Sequence, residues 1–208
     1  MRYLIWLSYD GTNYHGWQIQ PDVNTVQAEL QSAMATLLRR NIEVVGAGRT
    51  DTGVHARTMA AHFDVENQID CKQMAYKLNR FLPKDIAIRK IEQVDNDLHA
   101  RFSAKQRTYH YYVHTIKSPF LRAYSCELHY QLDYSRMNEA AAKLIQYEDF
   151  GAFCKSHTDV ATTLCNVSEA RWFVLDENRY EWCFRITANR FLRNMVRAIV
   201  GTLIDVGR

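Results

Sequence analysis

Residues 46–65 read GAGRTDTGVHARTMAAHFDV, and the change of pattern inside this stretch sets the plan of the chain. Its first part is a loop. Gly46, Gly48 and Gly53 permit sharp or left-handed turns and let a ligand approach the backbone closely. Its second part alternates: Met59, Ala61, Phe63 and Val65 fall on one side, Ala60, His62 and Asp64 on the other, which is the period of a half-buried strand.

The same reading extends outward in both directions. Residues 3–9 are β-prone and run into the turn residues Asp10-Gly11-Thr12-Asn13. Asn24 with Gln27 three residues later resembles a capping box, and Val26, Leu30, Ala33 and Leu37 follow on one helical face. A strand at about 42–46 enters the glycine-bounded loop. Asp70 is placed to cap a helix that stops before Pro83, and Ile86 to Val94 reads as a strand. The second half echoes this order. Thr108 to Thr115 alternates, with Tyr109, Tyr111 and Val113 opposite His110, Tyr112 and His114. A helix is expected near 134–147, strands near 167–175 and 179–187, and a last helix near 190–206 with Gly207 as its stop. The expected class is therefore α+β with mainly antiparallel sheets, in two similar halves, 1–105 and 106–208.

Bulk properties narrow the function. The 208 residues suffice to bury a core, and no apolar run is long enough to cross a bilayer. The N-terminal Met1 to Leu7 lacks a small-residue cleavage site and runs into Ser8 and Asp10, so it reads as a strand and not as a signal peptide. The five cysteines are odd in number and form no Cys-x-x-Cys pair, which argues for reduced thiols in a cytoplasmic protein without a structural zinc site. Net charge is only +3, so the placement of the arginines says more than their number.

The loop itself holds the chemistry. Asp51 lies between Arg49 and the pair His55 and Arg57, and nearby guanidinium groups favour the ionised carboxylate. Such a carboxylate suits a nucleophile, a base or a metal ligand; it equally suits a structural turn cap paired with Arg49. Two phosphate-binding patterns are excluded. Gly48 and Gly53 have the Walker spacing, but Val54-His55 stands where Lys-Ser/Thr is required, and Asp51 occupies the third glycine of a dinucleotide fingerprint. His15, His55, His62 and His110 have no recognised metal-ligand spacing, so no metal is expected.

Gly48-Arg49-Thr50-Asp51-Thr52-Gly53-Val54-His55-Ala56 resembles the signature of the TruA-type tRNA pseudouridine synthases. The resemblance continues in order through Tyr9 to Gln18, Asn79 to Ile88, His99 to Ala104, Arg107-Thr108-Tyr109, and Phe191 to Gly201. It implies two α/β halves joined across a cleft, and isomerisation of uridine to pseudouridine in tRNA without a cofactor. It further implies the anticodon stem-loop as target, at uridines 38, 39 and 40, a homodimeric enzyme, and Asp51 as the nucleophile. By the same resemblance Tyr109 stacks on the target uracil and Arg197 pairs with the aspartate, the three converging in the cleft. Arg49 is expected to contact Asp51, the flipped nucleotide or the RNA backbone. Arg57, Arg101 and Arg107 are candidates for phosphate contacts. Arg190, Arg193 and Arg197 share one helical face by spacing, with Phe191, Met195, Ile199 and Leu203 on another, so Arg190 and Arg193 join the RNA-binding candidates. The family usually continues past this helix with another helix and a strand, whereas this sequence ends at Gly207-Arg208. The competing readings are a non-catalytic RNA-binding or chaperone domain on the same scaffold, and a metal-dependent phosphoesterase built on Asp51 and the histidines.

Overall fold

The computed structural model describes residues 1–155, 161–178 and 180–208. It divides into two compact units, Met1–Ala104 and Lys105–Arg208. Each unit is an antiparallel-rich four-stranded sheet packed against helices, so the α+β class read from the sequence is borne out. No helix among the described residues is long and apolar enough to cross a membrane.

The first unit contains strands β1 (Arg2–Tyr9), β2 (Val44–Gly46), β3 (Ala56–Asp64) and β4 (Ile86–Val94), with helices α1 (Val26–Leu38) and α2 (Cys71–Phe81). The sheet order is β2-β3-β1-β4, and every pairing is antiparallel. Alternation along β1 sends Tyr3, Ile5, Leu7 and Tyr9 into one core, where they meet Val26, Leu30 and Met34 of α1 and Met74 and Leu78 of α2. Asp70 caps α2 as expected, its side chain accepting from Gln73 N.

The start of α1 differs from expectation. The cap is Thr25, whose buried side chain accepts from Ala28 N at 3.4 Å, while Asn24 donates its side-chain amide to Asn13 O at 2.8 Å. Gln27 is drawn away from the cap by a better use. Its Nε2 donates to Val44 O at 2.7 Å, and Gln31 Oε1 accepts from Val44 N at 2.9 Å. Two side chains of α1 thus satisfy the outer edge of the short strand β2, which leads directly into the Asp51 loop.

The polar face of β3 also departs from simple alternation, because His62 is 4% exposed. The segment after β4 folds over it, and Ala100 N donates to His62 Nδ1 at 3.1 Å. Burial pushes the His62 pKa down, with help from the nearby charge of Arg2.

The second unit contains β5 (Arg107–His114), β6 (Cys126–Glu127), α3 (Tyr134–Lys143), β7 (Val167–Asp176), β8 (Glu181–Ala188) and α4 (Met195–Gly207). Its sheet order is β6-β5-β8-β7, with the two-residue β6 parallel to β5 and the rest antiparallel. Ile186, Phe184 and Trp172 face Met195, Ile199 and Leu203 of α4 and Met137 of α3. Helix α3 is shorter than expected: it ends at Lys143 and tightens into a 3₁₀ turn, Leu144–Gln146.

Helix α4 starts five residues later than the sequence pattern indicates. Asn189 is held at the end of the sheet, its N–H donating to Asn166 O and its Oδ1 accepting from Asn166 N. Asn194 then takes φ +66, a left-handed conformation that separates Arg190 and Arg193 from the helix carrying Arg197. The proposed helical face of three arginines therefore does not exist. Gly207 is likewise not a stop beyond the helix. It is the last helical residue, buried, and a Cβ there would lie 2.6 Å from Met137 Sδ.

Candidate functional site

Two chain segments build the surroundings of Asp51. One is the loop between β2 and β3. The other is the turn after β1, residues 10–18, which lies against it. Gly11 and Gly16 make this packing possible, since an added Cβ at Gly11 would lie 2.1 Å from Val54 O and one at Gly16 would lie 2.1 Å from Thr50 O. Gly16 also has φ +87, a conformation that suits glycine.

Hydrogen bonds then fix the contact. Thr50 Oγ1 accepts from Trp17 N at 3.0 Å and lies 3.1 Å from the Tyr9 hydroxyl. Gly53 N donates to Tyr14 O at 3.2 Å. The turn Asp51 to Val54 closes on itself through Val54 N to Asp51 O at 3.2 Å, with Gly53 at φ +77 in the position that demands a left-handed residue. The turn after β1 is itself moored to α1, as Gln27 N donates to Trp17 O at 3.0 Å. Beneath it Tyr14 donates its hydroxyl to Asp85 at 2.6 Å; burial and that carboxylate push the phenol pKa well up, so it stays protonated.

On this frame the Asp51 side chain is exposed. Arg49 is exposed too, and no hydrogen bond or ion pair joins it to Asp51 among the described residues. Of the three contacts expected of Arg49, the one to Asp51 is not made among the described residues; the turn is closed by backbone and by Thr50. His55 Nδ1 lies 2.9 Å from Asp10 Oδ1 and 3.1 Å from Gly11 N. A proton on Nδ1 serves the carboxylate and a lone pair serves the amide, so one nitrogen makes one of these bonds at a time. Arg57 is the second residue of β3 and is exposed. Arg101 lies over the ring of Phe102 at 5.6 Å, and that ring is 76% exposed.

The second unit carries the remaining candidates. Tyr109 lies on β5 and faces the helical side of the sheet. It is half-buried, its ring edge-on to Phe191 with centroids 5.0 Å apart. Arg197 is exposed on the first turn of α4. Its charge reaches Tyr111, which neighbours Tyr109 on the same strand face: burial raises the Tyr111 pKa, and Arg197 opposes the rise. Tyr109 and Arg197 thus belong to one side of the second sheet. Arg107 is turned to Asn189 O at 2.8 Å and braces the end of the sheet. Arg190 and Arg193 lie in the loop before α4, where Arg193 O accepts from Lys155 N.

Sequence reasoning did not single out Tyr9, Tyr14, Trp17 and Thr50 as supports of the loop. Trp17, at 2% exposure, is part of the core. The available signal was the paired occurrence of two glycine-containing polar turns, which only a structure shows to be in contact.

A profile of the family described as tRNA pseudouridine synthase matches residues 5–103 and 140–208. The chain belongs to the tRNA pseudouridine synthase family. It is 57% identical over 207 residues to a protein named tRNA pseudouridine synthase A from Bacteroides thetaiotaomicron, covering all of this chain and 77% of that one. The protein of that name from Bacteroides fragilis is 55% identical, with 82% of its length covered. The one from Bacillus subtilis is 43% identical over 211 residues, covering all of this chain and 84% of the relative.

Proposed function

We propose that this protein is a tRNA-modifying isomerase that converts uridine to pseudouridine with Asp51 as nucleophile. Isomerisation of tRNA uridine is the activity its family membership carries. The reaction breaks the N-glycosidic bond, turns the uracil and rejoins it through C5. Atoms balance without any co-reactant, so the enzyme must supply a group that attacks and later leaves, and a carboxylate does both. The observation that supports Asp51 is its exposed side chain on a loop fixed by Thr50, Gly53 and Val54.

In this reading 1–105 is the half that supplies the nucleophile and 106–208 the half that supplies Tyr109 and Arg197. Tyr109 provides the aromatic surface that replaces the stacking lost when the base leaves its neighbours. Arg197 is the cation that pairs with the reacting carboxylate. Arg49 contacts the flipped nucleotide or its backbone, and Arg57, Arg101, Arg107, Arg190 and Arg193 contribute phosphate contacts. The substrate is the anticodon stem-loop at uridines 38–40, whose unstacked bases cost less to extrude. The enzyme works as a cytoplasmic homodimer without metal.

One assay tests the core of this. Uridine-labelled tRNA is incubated with protein, with and without chelator, beside Asp51→Ala. Pseudouridine is expected in both wild-type samples and absent with the variant, which still binds tRNA. Binding without any turnover by the wild type would favour a non-catalytic RNA-binding domain.

A further inference from the structure

Thr50 stands beside Asp51 with its side chain turned the other way. Asp51 is exposed, whereas Thr50 is half-buried and its hydroxyl meets two groups of the opposing turn, Trp17 N at 3.0 Å and the Tyr9 hydroxyl at 3.1 Å. Both partners are buried. Tyr9 ends β1 and is 4% exposed; Trp17 is 2% exposed, and their rings lie 6.1 Å apart between centroids. Trp17 in turn is held by α1 through Gln27 N and fits against Gly46, where a Cβ would lie 2.3 Å from the indole nitrogen. Through these two contacts the Thr50 hydroxyl links the Asp51 turn to the end of β1 and to the turn that leads into α1. A β-branched residue suits this task, since its χ1 is stiff and transmits the position of the hydroxyl to the backbone.

We infer that Thr50 is a positioning residue: its hydroxyl, bonded to Trp17 N and Tyr9 Oη, fixes the backbone of Asp51 so that the carboxylate is aimed for attack. This rests on the reading of Asp51 as nucleophile. The hydroxyl touches no reacting atom and exchanges no proton with substrate. Its effect is on the geometry from which the carboxylate starts, and misplacement of a reacting group by about 1 Å costs on the order of a hundredfold in rate.

The test compares Thr50→Val, which keeps shape and branching but loses the hydroxyl, with Thr50→Ser, which keeps the hydroxyl. Single-turnover pseudouridine formation is measured at saturating tRNA, tRNA binding by filter retention, and unfolding by circular dichroism. Thr50→Val is expected to lower the saturating rate by about tenfold to a hundredfold with tRNA affinity within about twofold of wild type. Thr50→Ser is expected to recover most of the rate. A Thr50→Val rate equal to wild type overturns the inference, as does an equal loss in both variants or a loss expressed only in tRNA affinity. If Thr50→Val does not fold, Tyr9→Phe removes one of the two partners and must lower the saturating rate; an unchanged rate again overturns it. Asp51→Asn run in parallel separates the two readings. Full activity there refutes Asp51 as nucleophile, whereas an inert Asp51→Asn beside a fully active Thr50→Val refutes only the role of Thr50.

Discussion

Replacing Gly16 by alanine applies a defined push to the Asp51 loop from the opposite turn. Two costs arise. The backbone there has φ +87, which disfavours an L-residue by roughly 1–2 kcal/mol. The new Cβ would also lie 2.1 Å from Thr50 O, so the carbonyl must retreat by 0.9 Å to reach even the 3.0 Å limit of real contacts (3.0 − 2.1). Overpacking of this kind costs about 1–3 kcal/mol. The sum is below the roughly 5–15 kcal/mol that holds a domain together, so the protein stays folded and the loop moves. A shift of that size next to Asp51 is expected to slow turnover by about a hundredfold. Two neighbours serve as references. A Cβ at Gly53 meets nothing within 4 Å but suffers φ +77, so Gly53→Ala carries the strain cost alone. Gly48→Ala carries neither. Single-turnover rates at saturating tRNA and urea unfolding should therefore rank the variants Gly16→Ala, Gly53→Ala, Gly48→Ala from most to least impaired. A Gly16→Ala enzyme with wild-type turnover would refute the contact between the two turns.

Gly207→Ala should destabilise the second unit by about 1–3 kcal/mol, because its Cβ meets Met137 Sδ at 2.6 Å and Cγ at 2.8 Å, and Met137→Ala should relieve part of that loss in a double-mutant cycle of urea unfolding. The His62 ring has a pKa lowered by burial, so its neutral form favours the fold; this stability is complete above the ordinary histidine value near 6.5 and is lost as pH falls through the lowered native value. Protonated Nδ1 cannot accept from Ala100 N, so exchange protection of that amide should fall as the His62 ring takes up its proton, and protection that persists once NMR shows the ring protonated would contradict the bond. Leu78→Ala, in the fully buried centre of α2, should cost about 2–5 kcal/mol in unfolding experiments while leaving the saturating rate of the folded fraction near wild type.

The strands and the buried faces of the helices were largely legible in the sequence, because periods of two and 3.6 residues are local properties of side-chain burial. Val26, Leu30 and Ala33 pointed into the core as their spacing required, and β4 occupies Ile86 to Val94 as read. Ends were less legible, since they are decided by partners far along the chain. Thr25 replaced Asn24 as a cap because Gln27 is needed by Val44 and Asn24 by Asn13. Helix α4 lost its first turn because Asn166 holds Asn189 and Asn194 turns left-handed. The arginine face built on that turn went with it.

The signature around Asp51 was likewise a local fact, and with the ordered motifs it determined the family and the chemistry to expect. What the sequence alone determined was which residue types are available: a carboxylate, glycines that relax the backbone, and an alternating pattern to bury. The tertiary structure decided how that carboxylate is held. The turns carrying Gly16 and Thr50 are separated by more than thirty residues, and no periodicity relates them. Their contact follows from β1 and β3 pairing side by side, which brings the end of one strand against the start of the other. Only then do the missing Cβ of Gly16, the amide of Trp17 and the hydroxyl of Thr50 become parts of one support.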